Sequence, residues 1–481
     1  MLVPEISLTP QMIERFMARF GKEKLAVLHS KLSIRERYNE WKKIENGEAK
    51  IIIGARSAIF APATNLGLII IDEEHDQSYK SDMTPRYNAK EIAKYIAKIN
   101  KIPLILGSAT PDLNTYYEAL QGKKELIVLR NRANNSKLPN VEIIDLKQEI
   151  ANGNRAMLSN TLVEKIKQNL ENKKQTILFL NRRGYSTFVM CRNCGHTLKC
   201  KRCNITLTYH IKENKLKCHY CGYETKNIQE CPKCNSKNIR YFGTGTQKLE
   251  VEINKIFPEA SSIRLDIDTI TSKNTHEVIL NKFKEENIDI LIGTQMIVKG
   301  HHFPNVTLVG AVAADSSLYI EDYRSNERTF QILTQVAGRA GRESNNGQVI
   351  IQTYSPDNFA ITCAKEQNYE KFYKEEISFR RQLNYPPFCD IIKIEFNGLN
   401  EFNVSKIAQS IYKNLLNYKN EMFIYKPMPS PINKIKNRYR WRIIIKCKLN
   451  NKIIDYINNS IEIKKNYGVK IIVDVNPNSM S

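Results

Sequence analysis

Short branched apolar runs alternate with longer amphipathic stretches over the first two-thirds of the chain. The pattern predicts a helix from about Gln11 to Phe20, a strand near Leu25 to Leu28, a helix near Ile34 to Glu45 and a strand from Ala49 to Ile53. A strand buried on both faces is predicted at Leu66 to Ile71, a helix from Asn88 to Ile99 and a strand at Leu104 to Leu106. Strands separated by helices imply βαβ units and a parallel sheet. Met1 to Leu8 reads as the end of a strand entering a helix at Thr9 and Pro10, a favourable cap and first-turn pair. No room is left upstream for the edge of that sheet, so this first layer is expected to be incomplete.

Between Val128 and Ser159 the pattern loosens into Asn and Gly, with one strand at Val141 to Asp145, and an inter-domain link is expected there. A helix is predicted from Thr161, whose spacing to Glu164 fits a capping box, followed by a strand at Thr176 to Leu180 and a turn through Arg183. After a cysteine-rich interruption the alternation resumes at Ile263 to Leu265, Asn274 to Lys284, Ile288 to Ile292, Val306 to Val312 and Gln348 to Thr353. Tyr385-Pro386-Pro387-Phe388 marks a rigid boundary. The expected organisation is an α/β chain: a partial first lobe over 1–150, a second lobe over 151–355 with an insertion at 188–238, and an α+β C-terminal domain over 356–481.

Composition narrows the class. The chain has 481 residues, enough for about three domains. No run approaches the roughly 18 apolar residues of a membrane span, and the N-terminus lacks the basic start and apolar core of a signal peptide. A cytoplasmic protein without a membrane partner is expected. Lys and Arg number 73 against 50 Asp and Glu, a formal charge of +23 that favours polyanions, nucleic acid first.

The candidate chemistry sits at strand ends. Asp72-Glu73-Glu74-His75 closes the third apolar run, and carboxylates beyond the carboxyl end of a parallel strand can hold Mg²⁺ for a nucleotide. Gly54-Ala55-Arg56-Ser57-Ala58 and Gly107-Ser108-Ala109-Thr110 end two neighbouring strands, and small residues there allow close approach while hydroxyls hydrogen-bond. Gly293-Thr294-Gln295-Met296 is the equivalent loop of the second layer. In Gln335-Val336-Ala337-Gly338-Arg339-Ala340-Gly341-Arg342, two arginines three apart share one helix face and could reach phosphates across a cleft. A phosphate cradle of the form Gly-x-x-x-x-Gly-Lys-Ser/Thr occurs nowhere in the sequence.

Cys191, Cys194, Cys200, Cys203, Cys218, Cys221, Cys231 and Cys234 form four Cys-x-x-Cys pairs, the ligand number of two closed tetrahedral Zn²⁺ sites. Spacing leaves the pairing open, with a nested arrangement favoured over a crossed one. His196, His210 and His219 read as bystanders. Toward the C-terminus, Ile435-Lys436-Asn437-Arg438-Tyr439-Arg440-Trp441-Arg442 interleaves base with aromatic, suited to a phosphate backbone with stacked bases or to an alternating strand with one buried face.

In their order, these motifs together with Ile297-Val298-Lys299-Gly300-His301-His302-Phe303 resemble the primosomal protein N′ (PriA) family of replication-restart DNA helicases in superfamily 2, essentially over the whole chain. The resemblance implies two RecA-like lobes and an ATP-dependent 3′→5′ helicase that binds forked DNA. Its implied partners are primosome proteins, single-stranded DNA-binding protein and the loader of the replicative helicase. Asp72 and Glu73 would serve Mg²⁺ and water, and Arg339 and Arg342 the ATP phosphates. Glu74, His75, Ser108, Thr110, Gly300 and Gln335 would line the nucleotide site. DNA contacts would come from Arg56, Ser57, Arg86, Tyr87, Arg183, Thr294, Gln295, Lys436, Arg438 and Arg440, with two structural zincs in the insertion. The family's DNA 3′-end-binding domain, winged helix and phosphate loop precede the position of Leu2. The expectation is therefore weak or no ATP hydrolysis by these residues alone, and a non-enzymatic DNA-binding or assembly protein is the alternative.

Overall fold

The computed structural model describes the chain except residues 5–9, 31, 132–137, 181–187, 204, 211–212, 243–244, 267–274, 295–296, 298–302, 341–346, 463–467 and 481. Lobe one comprises α1 (Pro10–Phe20), β1 (Leu25–Leu28), α2 (Ile34–Glu45), β2 (Ile51–Gly54), β3 (Ile69–Ile71), α3 (Ala89–Asn100), β4 (Leu104–Leu106) and α4 (Leu113–Leu120). The parallel pairs β1–β2 and β3–β4 are joined by Leu2, which bridges Gly54 on one side and Ile71 on the other. Ser33 and Glu36 form the capping box that starts α2, and Ala89, Ala93 and Ala97 make the buried stripe that seats α3. The apolar run expected as a six-residue strand forms only three paired residues, because β4 offers just Leu104 to Leu106 as partners and Leu68 is exposed.

Lobe two is a six-stranded parallel sheet in the order β12-β13-β6-β14-β15-β5. Its strands are β5 (Asn140–Asp145), β6 (Gln175–Phe179), β12 (Ser262–Leu265), β13 (Ile290–Gly293), β14 (Val306–Ala311) and β15 (Gln348–Thr353). Its helices are α5 (Leu146–Ala151), α6 (Asn160–Glu171), α7 (Thr246–Ile256), α8 (Thr275–Glu285), α9 (Asp315–Leu318), α10 (Ser325–Ala337), α11 (Phe359–Glu366) and α12 (Tyr369–Gln382). Two sequence expectations change here. Val141 to Asp145 is not part of a loose link: it is an edge strand of this sheet, registered against β15 over all six residues and capped below by Asp145 on α5. And α6 is capped by Ser159, whose Oγ accepts from Leu162 N, rather than by Thr161.

The insertion carries β7 (Phe188–Cys191), β8 (Thr208–His210), β9 (Lys215–Lys217), β10 (Glu224–Lys226) and β11 (Ile239–Phe242). Antiparallel β7 and β11 form its stem and β10-β9-β8 a small sheet. The C-terminal domain has β16 (Asp390–Gly398), α13 (Glu401–Leu415), β17 (Met422–Ile424), β18 (Met428–Ile435), β19 (Arg438–Cys447), α14 (Asn451–Glu462) and β20 (Lys470–Val475). One face of its antiparallel sheet, with Ile392, Ile394, Phe396, Ile443 and Ile445, packs under α13 and α14. The other face bears Lys393, Glu395, Arg442, Lys446 and Asp474, all buried, and turns toward the rest of the molecule. No helix among the described residues is long and apolar enough to cross a membrane.

Candidate functional site

β3 delivers the acidic box and its neighbours hold it still. Asp72 N donates to Leu2 O at 3.0 Å, Gly107 N to Ile71 O at 2.8 Å, and Glu74 N back to Gly107 O at 3.0 Å. Asp72 Oδ1 accepts from Glu73 N at 2.9 Å, and the buried Tyr79 hydroxyl donates to Asp72 O at 2.6 Å. Glu73 is forced to φ +45°, a left-handed conformation that costs a non-glycine residue about 1–3 kcal/mol and concentrates at functional sites. Its Oε2 is buried without a hydrogen bond and lies 3.5 Å from His75 Nδ1. A Cβ at Gly107 would come within 3.8 Å of Asp72 Oδ1, so the glycine leaves open floor beside that carboxylate. An uncrowded carboxylate at a strand end suits a hydrated Mg²⁺ carried by phosphates. Asp72 is the residue that would hold it, with Glu73 beside it.

His75 joins the two lobes. Its Nδ1 lies 2.7 Å from Ser108 Oγ in lobe one and its Nε2 lies 2.8 Å from Gln335 Nε2 in lobe two. Since the Gln335 amide nitrogen can only donate, the network assigns a neutral imidazole protonated at Nδ1 and donating to Ser108. Ser108 Oγ in turn accepts from Thr110 N at 3.0 Å. Thr110 itself is buried, with its Oγ1 unsatisfied.

Gln335 is the last of three residues spaced by four on α10, all engaging lobe one. Glu327 Oε1 accepts from Leu113 N at 2.9 Å, where α4 begins, and Gln331 Nε2 reaches Thr110 O at 3.4 Å. Glu327 Oε2 is held by Arg380 of α12 at 2.6 Å, and Arg380 also bonds Glu376 at 3.0 Å. Tyr369 OH donates to Pro111 O at 2.9 Å. Glu327, Gln331 and Arg380 were not singled out from sequence, although the four-residue spacing ending at Gln335 was a signal available there.

Several expected site residues have other partners. Glu74 is not available to a nucleotide: its oxygens accept from Asp112 N at 2.6 Å, Lys90 Nζ at 3.0 Å and Thr115 Oγ1 at 3.1 Å. Burial raises its carboxyl above the usual range, partly offset by Lys90. Arg56 donates to the carbonyls of Ser78 and Lys80 at 3.0 and 2.7 Å and lies over the Tyr87 ring, so it braces the loop after the acidic box. Ser57 beside it is exposed. Tyr87 packs edge-on against Phe60, and Arg86 pairs with Asp474 at 2.7 Å. Thr294 opens the turn after β13. In β19, Arg438 bonds Asn397 at 2.6 Å and Arg440 bonds Glu395 at 3.1 Å, both facing β16, whereas Lys436 stands exposed at the β18–β19 turn. The alternating-strand reading of that segment therefore describes Arg438 to Arg442, with Tyr439 and Trp441 on the opposite, core-facing side. Arg339 follows the end of α10, half-buried. Arg342, Arg183, Gln295 and Gly300 lie outside the described residues.

The cysteines gather in two groups: Cys191, Cys194, Cys231 and Cys234, and Cys200, Cys203, Cys218 and Cys221, with ligand atoms within 4.8 Å of one another in each. This is the nested arrangement. Sγ–Sγ separations of 3.5 to 3.6 Å are too long for disulfides and close to the roughly 3.8 Å that tetrahedral Zn–S bonds of about 2.3 Å impose. Gly195 and Gly222 turn two knuckles at φ +71° and +73°, and Asn235 a third at +54°. The Gly195 position could carry no Cβ, which would stand 2.3 Å from Tyr354 O, so the outer knuckle is pressed onto lobe two. His196, His210 and His219 belong to neither group. All-thiolate, four-ligand sites organise a fold and leave no open position for hydrolysis.

Sequence comparison agrees with this layout. Residues 1–119 match the DEAD/DEAH box helicase profile and 226–344 the helicase conserved C-terminal domain. Residues 200–226 match the PriA DNA helicase Cys-rich region domain and 381–478 the primosomal protein N C-terminal domain. The chain is 48% identical over 487 residues to replication restart protein PriA of Bacillus subtilis, covering 100% of this chain and 60% of that protein. It is 43% identical to the PriA of Synechocystis over 100% of this chain and 59% of that one, and 38% identical to that of Treponema pallidum over 99% and 72%. The chain thus spans about 60% of the length of the first two relatives. Among solved structures, RecG bound to a three-way DNA junction is similar at 14% identity and TM-score 0.42, covering 79% of this chain and 42% of that one, too loose a superposition to bear on function.

Proposed function

The chain belongs to the replication restart PriA family, and from that premise we propose that it forms the greater part of an ATP-dependent 3′→5′ DNA helicase that acts at abandoned forks and promotes primosome assembly. The observation that carries this reading is the bridge Ser108–His75–Gln335, which ties the strand-end loop of lobe one to α10 of lobe two beside the acidic box. A nucleotide bound between lobes wired this way would be sensed by both. In this reading Asp72 holds Mg²⁺, Glu73 polarises the attacking water, and Arg339 and Arg342 serve the ATP phosphates. Mg²⁺ would neutralise charge developing on the phosphates. Two zincs hold the insertion against lobe two, and Lys436, exposed at the β18–β19 turn, contributes to DNA contact.

A DNA-binding and assembly role without turnover is the second reading, carried by the two cysteine groups and the C-terminal domain. DNA-stimulated ATP hydrolysis separates the two. It is measured for this chain alone and for this chain mixed with a polypeptide carrying the rest of the B. subtilis relative. Turnover near background alone and stimulated turnover in the mixture is the expected result. DNA binding with no turnover in either sample would leave the assembly role.

A further inference from the structure

The last residues of β20 and the segment after it run between the lobes. Asp474 pairs with Lys80 and Arg86, each at 2.7 Å, and all three side chains are at least four-fifths buried. The carbonyls of Val475 and Asn476 accept from Lys80 Nζ, the latter at 2.7 Å. Pro477 O and Asn478 O accept from Arg324 Nη2 of lobe two at 2.9 and 2.8 Å, and Asn478 O also from Arg328. Asn478 Nδ2 returns to lobe one, donating to Gln77 O at 2.8 Å. Met480 is buried beside Cys200, Cys203 and Tyr220 of the cysteine module. One short segment therefore contacts lobe one, lobe two and the insertion.

Its two lobe-one cations, Lys80 and Arg86, flank a loop whose tip, Asp82 to Pro85, is exposed. That loop follows the acidic box directly, is tied to it by the Tyr79 hydroxyl on Asp72 O, and is held from the end of β2 by Arg56. Two cations beside an exposed tip make a phosphate site once their internal anion is withdrawn, whereas here Asp474 pairs with both and the carbonyls of Val475 and Asn476 also occupy Lys80.

We propose that Asp474 is an internal competitor of nucleic-acid phosphate: the C-terminal segment holds Lys80 and Arg86 in a docked state, and a single-stranded polynucleotide draws them off Asp474, releasing the loop after the acidic box. The proposal rests on the DNA-binding reading above. It assigns Lys80 and Asp474, which nothing else about the chain singles out, as positioning residues that set when the loop is free.

The test uses the whole 481-residue chain, a fluorescent oligothymidylate and hydrogen exchange. Asp474→Asn is compared with Asp455→Asn, which makes the same charge change at an exposed position on α14. Asp474→Asn is expected to speed amide exchange over 77–88 without DNA and to bind the oligonucleotide roughly tenfold more tightly at low salt. The slope of log K against log salt should steepen by about 1.4, the increment for two further phosphates on a single strand. Asp455→Asn should do neither, Asp474→Glu should restore the parent behaviour, and adding Lys80→Ala with Arg86→Ala should abolish the gain. Zinc content and thermal midpoint check that each variant is folded. Affinity and slope no different from those of Asp455→Asn, with the parent chain still binding DNA, overturn the competitor alone. Failure of every folded chain to bind overturns the DNA reading with it.

Discussion

Single side chains carry the site's constraints, and several can be checked one at a time. Asp315 is buried, accepts from Thr353 Oγ1 and Tyr354 N at 2.9 Å each, and is pushed up by that burial to about 6. The native state thus holds this proton more tightly than the unfolded chain, whose carboxyl titrates near 3.9. Its stabilising contribution is full below about pH 4 and is lost as pH rises through 6, about 3 kcal/mol in all. Urea unfolding of Asp315→Asn between pH 4 and 7 should show a flatter pH dependence than the parent. Arg380 sits between the buried carboxylates of Glu327 and Glu376. Arg380→Ala strands both, and a loss of about 3–5 kcal/mol is expected by denaturant titration. An effect below 1 kcal/mol would mean water reaches them. At this scale the acidic box, Ser108 and Gln335 were visible as residue types at strand and helix ends. The internal engagement of Glu74, Arg56 and Arg86 was not, because their partners lie 16 to 388 positions away in the chain.

Elements obey more local rules. The Cys-x-x-Cys pairs and the apolar runs of β6 and β14 act over a few residues, and each formed close to where the pattern placed it, whereas the cap of α6 fell on Ser159 and not on Thr161. The shortened β3 and the recruited β5 did not follow, since a strand's length and sheet are set by its partner rather than by its own hydrophobicity. The insertion has only short strands and a small shared core, so its stability should depend on metal. Metal analysis is expected to return about two zincs per chain. Chelation at neutral pH should melt the insertion, read as faster exchange over its amides, while the six-stranded sheet of lobe two stays protected. One zinc per chain, or an insertion indifferent to its removal, would contradict the two-site arrangement.

Across the whole molecule, the lobes are coupled through α10. Its polar stripe of Glu327, Gln331 and Gln335 spends side chains on lobe one that could otherwise have been solvated. A double-mutant cycle with His75→Ala and Gln335→Ala tests whether the bridge is one unit. A coupling energy of about 0.5–3 kcal/mol in unfolding, absent from a control pair that does not touch, is expected. Additivity of the two single changes would show that His75 and Gln335 are merely neighbours.

The sequence by itself determined the alternation that builds two parallel sheets, the eight thiols of the insertion, the acidic strand end and the family to which these motifs belong. Each rests on spacing within one element or on residue chemistry that survives any packing. Tertiary structure decided which cysteines share a site, that β5 belongs to lobe two, and that Glu74 and the loop arginines are engaged internally. It also decided that the charged face of the last sheet is turned inward, with Asp474 against Lys80 and Arg86. Those outcomes depend on which distant groups are brought within hydrogen-bond distance once the lobes close. A linear pattern of apolar and polar positions does not encode that proximity, because the partners are chosen by shape and charge across surfaces the chain makes only on folding.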